Sequence, residues 1–195
     1  MKYSVDLMVK SSDAWIAAVK NDFDSFLQDH ADCERKASAM AMSFVAKYPD
    51  RNEIIPELIE TAIEELEHFQ QVFDIMKSRG VSLAKEMTKD LYIQKLMALS
   101  HGGTPETRFR DRLLLASIIE CRGCERFKLV SENLEDEELS KFYKVLWTSE
   151  AKHGNIFVKM ALNYFEETSV YNRLDELIEK EAEVLNSLEI RSALH

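Results

Sequence analysis

The chain has 195 residues, 46% of them hydrophobic, with only five glycines and three prolines; this suits one domain with a sizeable core and argues against a β-rich fold, which needs more turn residues. A net charge of −10 sets the chain as a whole against polyanionic partners. No apolar run nears bilayer length, and three cysteines, an odd number, do not make a fully paired disulfide scaffold. Asp6 interrupts what would be a signal-peptide apolar stretch, so the expected setting is a reducing cytoplasm with no membrane partner.

In chain order, a short helix is expected at about 12–20, with Ser12 able to cap it. A long helix A follows from about 22 to 48 and stops before Pro49. Helix B runs from about 53 to 79, with Asn52 as its cap, Pro56 tolerated in the first turn and Gly80 suited to the position just past its end. The connection 80–104 holds a short amphipathic helix near 88–100. Thr104 and Pro105 are a cap and a first helical residue for helix C, about 105–133. Helix D is expected at about 136–165, and a last acidic helix at about 171–190, after a break near Ser169. The pattern is all-α: a bundle of two antiparallel hairpins, 22–79 and 105–165, joined by one long crossover and carrying short accessory helices, in a single domain 1–195.

Helices B and D each carry a carboxylate three residues before an imidazole: Glu65 with His68, and Glu150 with His153. Residues three apart lie about 60° apart around a helix, so each pair shares one face. Those faces otherwise carry Leu58, Ala62, Phe69, Val72 and Met76, or Leu146, Trp147, Phe157 and Met160. A buried carboxylate must be neutralised, paired or bound to a metal. Neither pair alone is specific, because core histidines satisfied by local glutamates give the same spacing. In an antiparallel hairpin, however, residues at one level are equidistant from the turn. Glu34 is 31 residues before Glu65 and Glu120 is 30 before Glu150, with midpoints on the expected turns near Pro49 and Glu135. One Glu from each of two helices and one E-x-x-H from each of the other two is the ligand pattern of ferritin-like two-metal bundles. Four carboxylates and two neutral imidazoles balance two divalent cations, and oxygen and nitrogen donors without thiolate suit iron or manganese. Glu125 competes with Glu120 as an alternate ligand, since "CER" occurs both at 33–35 and 124–126, but it lies only 25 residues before Glu150. Asp29, Asp32 and Asp74 are candidate outer acceptors for the imidazoles.

Cys121 and Cys124 form a C-x-x-C inside a helix, with no βαβ pattern around it, so they read as packing residues. Gly123 and Gly154 are unusual in helix interiors and make room either for helix packing or beside a metal site. Residues 77–112 hold eight basic side chains against four acidic ones. Lys85, Lys89, Arg108, Arg110 and Arg112 are therefore candidate contacts for a phosphate backbone, with Tyr92 and Phe109 as candidate stacking rings.

"DHADCERKA" at 29–37, "EELEHFQQV" at 64–72, "IIECRGCERF" at 118–127 and "ELSKFY" with "SEAKH" up to 153 resemble the signature segments of the bacterial tRNA 2-methylthio-N6-isopentenyladenosine hydroxylases. The resemblance covers about residues 13–165; Cys121 and Gly123 stand where that family more often has Ala and Ser. It implies two non-haem iron ions held by Glu34, Glu65, His68, Glu120, Glu150 and His153, with the four glutamates acting in catalysis through the metal pair. Glu65 and Glu150 would bridge or chelate, and Glu34 and Glu120 would be terminal. It also implies O₂ as co-substrate, a hypermodified adenosine in the tRNA anticodon loop as substrate, and an electron-donating reductase as partner. Two other readings compete: a ferritin- or rubrerythrin-like handler of iron or peroxide, and a metal-free helical binding module.

Overall fold

The computed structural model describes residues 5–86 and 89–195. Among the described residues there are eight α-helices and no strand: α1 (Asp13–Asn21), α2 (Phe23–Lys47), α3 (Ile55–Ser78), α4 (Leu91–Ala98), α5 (Pro105–Asn133), α6 (Glu137–Glu150), α7 (His153–Leu162) and α8 (Glu167–Asn186). The backbone divides into two compact units. One runs from Ala17 to Lys89 and takes in Arg191–Leu194; the other joins residues up to Ile16 to Asp90–Ile190 and His195.

The Ala17–Lys89 unit is a helical hairpin of α2 and α3. Asp22 caps α2 by accepting from the Ser25 amide. The apolar face of α2, with Phe26, Leu27, Ala31, Ala41 and Phe44, is buried with Leu58, Ala62, Val72 and Met76 of α3. Midway along, Ser38 Oγ donates to the Ala62 carbonyl at 2.8 Å, which fixes the register of the two helices. Asn52 does not cap α3. The residue before the helix is Ile54, which offers no side-chain cap bond but is 1% exposed. An apolar anchor and the turn bond from the Ile54 amide to the Arg51 carbonyl start the helix instead. At the other end Gly80 takes φ 71°. Its amide reaches the Lys77 carbonyl while that of Val81 reaches Met76, which is the paired-bond Schellman ending that a left-handed residue permits. The C-terminal strand of chain ties back onto α2, with Ser192 Oγ donating to the Asp22 carbonyl and the Leu194 amide to Asp29.

In the Asp90–Ile190 unit, α5 is central and packs against α6, α7 and α8. Residues 113–119 are buried at every position, as a helix enclosed on all sides requires. Thr104 caps α5 and Pro105 opens it. Asp136 caps α6 through the Glu138 and Leu139 amides, and Asp90 caps α4; Thr88, near the expected start of that helix, lies outside the described residues. The expected helix D is two helices. The chain tightens at Ala151 and Lys152, where the Lys152 amide reaches back only to Ser149, at 3.5 Å, and α7 restarts at His153. Gly154, a poor helix former, follows at once. The next break also moves, to Asn163–Glu166, because Tyr164 and Phe165 leave the helix to pack on Phe109. Ser169 therefore sits in the first turn of α8, which spans 167–186 rather than 171–190.

A buried ionic cluster joins α5, α8, α4 and the N-terminal segment of this unit. Arg122 and Glu181 are both 0% exposed and pair through Nε at 2.9 Å and Nη2 at 3.1 Å. The same guanidinium donates to the Val9 carbonyl and to Glu125, and Tyr92 donates its hydroxyl to Glu181. Burial opposes the Arg122 charge, but the Glu181 hydrogen bonds and charge outweigh it and raise the pKa. Arg126 sits over the Trp15 ring. Burial, and then the like charge of Arg122, pulls its pKa down to about 10.

Candidate metal centre

In the hairpin of α2 and α3, Glu34, Glu65 and His68 all turn inward, 4%, 1% and 6% exposed. Their side chains offer ligand atoms within 4.8 Å of one another. His68 Nδ1 is 3.9 Å from Glu34 Oε2 and 3.8 Å from Glu65 Oε2. Metal–ligand bonds of ~2.0–2.2 Å set neighbouring donors about 3–4 Å apart, so these separations suit a shared cation. The bond from Ser38 to Ala62, one turn from each glutamate, holds the two carboxylates level.

A residue that sequence reasoning missed completes this trio. His30, 0% exposed, places Nε2 2.6 Å from Glu34 Oε1, so it orients Glu34 while Oε2 is left toward His68. The i,i+4 spacing of His30 and Glu34 was its only signal. The expected outer acceptors serve elsewhere: Asp29 takes the Leu194 amide, Asp32 pairs with Arg35 and Lys36, and Asp74 accepts from Gln70.

In the other unit Glu120, Glu150 and His153 likewise bring ligand atoms within 4.8 Å of one another. Glu150 ends α6 and His153 begins α7, so the E-x-x-H here spans a helix interruption rather than one helix, yet His153 Nδ1 still meets Glu150 Oε2. Glu125 lies five residues beyond Glu120, about 140° around α5, and its carboxylate accepts from Ser11 N and Oγ and from Arg122. It is a structural acceptor on another side of the helix.

Each unit thus supplies two carboxylates and one imidazole. Beside the second trio, burial, then Cys124, pushes the Cys121 thiol up to about 12, and burial, then Glu150, pushes that of Cys124 up to about 11. Neither thiol joins the ligand atoms grouped around these residues, which leaves a hard oxygen and nitrogen donor set that fits iron.

Gly154, next to His153, has a steric role. A Cβ there would fall onto Cys121 Sγ, so the missing side chain lets α7 sit close against α5. Gly154→Ala is expected to cost about 1–3 kcal/mol through overpacking, a fall of roughly 2–12 °C in melting temperature. Adding Cys121→Ala should return most of the loss. A double variant as unstable as Gly154→Ala alone would show that the contact does not matter.

The basic candidates belong to both units: Lys85 and Lys89 are exposed residues of the Ala17–Lys89 unit, while Arg108, Arg110 and Arg112 belong to the first turns of α5. Arg108 and Arg112 share a helical face. Arg110 points about 160° away from that face and spends its guanidinium on Asp111 and Ser169. Tyr92 and Phe109 are each 1% exposed and belong to the core, which removes both as stacking platforms.

Known proteins resemble this chain over most of its length. A curated protein of Pseudomonas putida (strain KT2440), named tRNA 2-(methylsulfanyl)-N(6)-isopentenyladenosine(37) hydroxylase, is 37% identical over 175 residues, 90% of this chain and 84% of that protein. A protein of the same name from Salmonella typhimurium (strain LT2) is 33% identical over 113 residues, 58% of this chain and 41% of that one. Among solved structures, "Protein 43 with aldehyde deformylating oxygenase activity from Synechococcus" matches with a TM-score of 0.91 and 29% identity, covering 100% of this chain and 96% of that one; the fold is all-α and ferritin-like. The family described as tRNA-(MS[2]IO[6]A)-hydroxylase (MiaE) matches residues 3–195. With two carboxylate–imidazole trios on a ferritin-like fold and this match across nearly its whole length, the chain belongs to that hydroxylase family.

Proposed function

We propose that Glu34, Glu65, His68, Glu120, Glu150 and His153 together hold two iron ions in one domain built from the hairpins at 22–79 and 105–165. The enzyme would hydroxylate the isopentenyl group of 2-methylthio-N6-isopentenyladenosine at position 37 of the tRNA anticodon loop, in the cytoplasm. The observation that carries this reading is the repetition of one trio, two carboxylates and an imidazole with ligand atoms within 4.8 Å, in each unit, with every member buried except the half-buried Glu120.

The chemistry demands such a group. A methyl C–H bond has no acidic proton and no electrophilic carbon, so side-chain acids and bases cannot open it. The metal pair, when bound, supplies the oxidising power that amino-acid side chains lack. In the balance, the C–H bond gives way to C–OH, one oxygen atom of O₂ enters the product and the other leaves as water, with two electrons and two protons consumed. The electrons come from a reductase partner. His30 holds the Glu34 carboxylate in place. Lys85, Lys89, Arg108 and Arg112 are the chain's contacts to the tRNA backbone, with Arg110 engaged chiefly within the protein.

The test is nucleoside analysis of bulk tRNA from cells with and without this protein. The hydroxylated nucleoside should vanish in its absence, the unhydroxylated 2-methylthio form should accumulate, and Glu65→Ala should fail to restore it. An unchanged nucleoside profile would overturn the assignment.

A further inference from the structure

The electron supply has a structural counterpart on α3. Ile59, Ile63 and Leu66 recur at i, i+4 and i+7, on one stripe of the helix, and are 42%, 52% and 51% exposed. Beside the stripe, Glu60 and Glu67 are exposed and Glu64 is half-buried. Between Ile55 and Met76 there is no Lys or Arg, so this surface of the helix carries charge of one sign. The opposite side of α3 buries Leu58, Thr61, Glu65, His68, Val72 and Met76. The stripe is therefore separated from Glu65 and His68 by the width of one helix, ~10–12 Å with side chains.

We propose that the Ile59–Ile63–Leu66 face of α3 is the docking surface for the electron-donating protein, and that this donor presents an apolar centre rimmed by Lys and Arg. The inference rests on the di-iron reading above, which creates the need for electrons. Charge complementarity selects the occupant. An apolar centre with a charged rim is the usual anatomy of a protein interface, and the acidic flank steers a basic partner in a salt-dependent way. The same flank repels the phosphates of tRNA, and two copies of the chain meeting here would set like charges together. An electron delivered at this face has only α3 to cross before it reaches a metal held by Glu65 and His68.

The test uses the full-length, iron-loaded protein, reduced anaerobically with dithionite and freed of excess reductant. Ferric cytochrome c, a haem protein with a lysine-ringed haem edge, is the redox probe. One electron leaves the reduced iron pair for each ferric haem converted to ferrous, and the second-order rate is followed by haem absorbance at low and high salt. Glu60→Lys with Glu67→Lys should lower the low-salt rate at least tenfold. Ile63→Gln with Leu66→Gln, which leaves the net charge alone, should lower it at least threefold. Asp175→Lys with Glu179→Lys, two exposed acids on α8, makes the same change in net charge and should stay within twofold of wild type. Iron content should be equal in all four proteins.

Equal losses in the α3 and α8 charge variants, or no effect of the Gln pair, would overturn the docking assignment. So would a loss of tRNA binding in the α3 variants, or a wild-type dimer that these substitutions dissociate. Failure of the wild-type protein to load iron is a different result, since it removes the di-iron reading itself and the docking site with it.

Discussion

Chelation of the metal lowers the melting temperature of the wild-type protein by about 5–10 °C and leaves that of a Glu65→Ala variant unchanged within about 2 °C. This is the expected result if the six ligands act as one cation site. The argument starts from burial. Glu34, Glu65 and Glu150 are each at most 4% exposed, and His153 is not exposed at all. Acidic groups so far from water destabilise a fold unless a positive charge compensates them. A cation bound only by the native state adds RT ln(1 + [L]/Kd), ~2.7 kcal/mol at a hundredfold excess over Kd, and in a chain of this length each kcal/mol moves the midpoint by roughly 2–4 °C. Glu65→Ala removes a ligand from the centre of one trio, so it should forfeit most of the iron and with it the response to a chelator. Glu150→Ala should do the same from the other unit. The measurements are iron per chain by elemental analysis and thermal unfolding with and without chelator. Identical chelator shifts in wild type and Glu65→Ala would show that Glu65 is not a ligand.

The second large effect lies away from the metal. Arg122→Met is expected to lower stability by about 3–5 kcal/mol, because it strands the buried Glu181 carboxylate without its cation. Thermal unfolding should read this as a fall of roughly 6–20 °C. The arginine also holds the Val9 carbonyl and Glu125, so the N-terminal segment should become more open to proteolysis. The informative comparison is Arg122→Met with Glu181→Leu. A well-packed apolar pair of similar volume is often as stable as the ion pair it replaces, so the double variant should recover most of the loss. A double variant no better than the single one would mean that the damage comes from lost packing or from the Val9 and Glu125 bonds rather than from the stranded charge.

Much of this site was legible because it rests on local signals and on simple counting. Thr104 and Pro105 punctuate the chain so strongly that α5 begins where they place it. The levels of Glu34 against Glu65, and of Glu120 against Glu150, follow from distance along an antiparallel hairpin, which needs no side-chain detail. What could not be read depends on contacts distant in sequence. The bonds that occupy Glu125, from Ser11 more than a hundred residues away, have no local signal. Tyr92 and Phe109 sit in a basic stretch and look available, but Glu181 captures one and Tyr164 with Phe165 enclose the other. The interruption at Ala151 and Lys152 was invisible because Ser-Glu-Ala-Lys-His has good helical composition. No turn or breaker residue marks it in the sequence before Gly154. His30 has only its i,i+4 spacing to Glu34 as a signal, which any core histidine near a glutamate shares.

The hydroxyl of Ser38, tied to the Ala62 carbonyl, has a consequence for how this chain can diverge. The alignment of the two glutamates is set in the middle of the hairpin and not at its tip. Chain added at the tip, between Tyr48 and Ile54, has little leverage on the carboxylates, and doubling a flexible loop costs only about 0.6 kcal/mol in closure entropy. Homologues should therefore differ freely in loop length there, and a short spectroscopic label inserted at Asp50 would report on the hairpin without disturbing its chemistry.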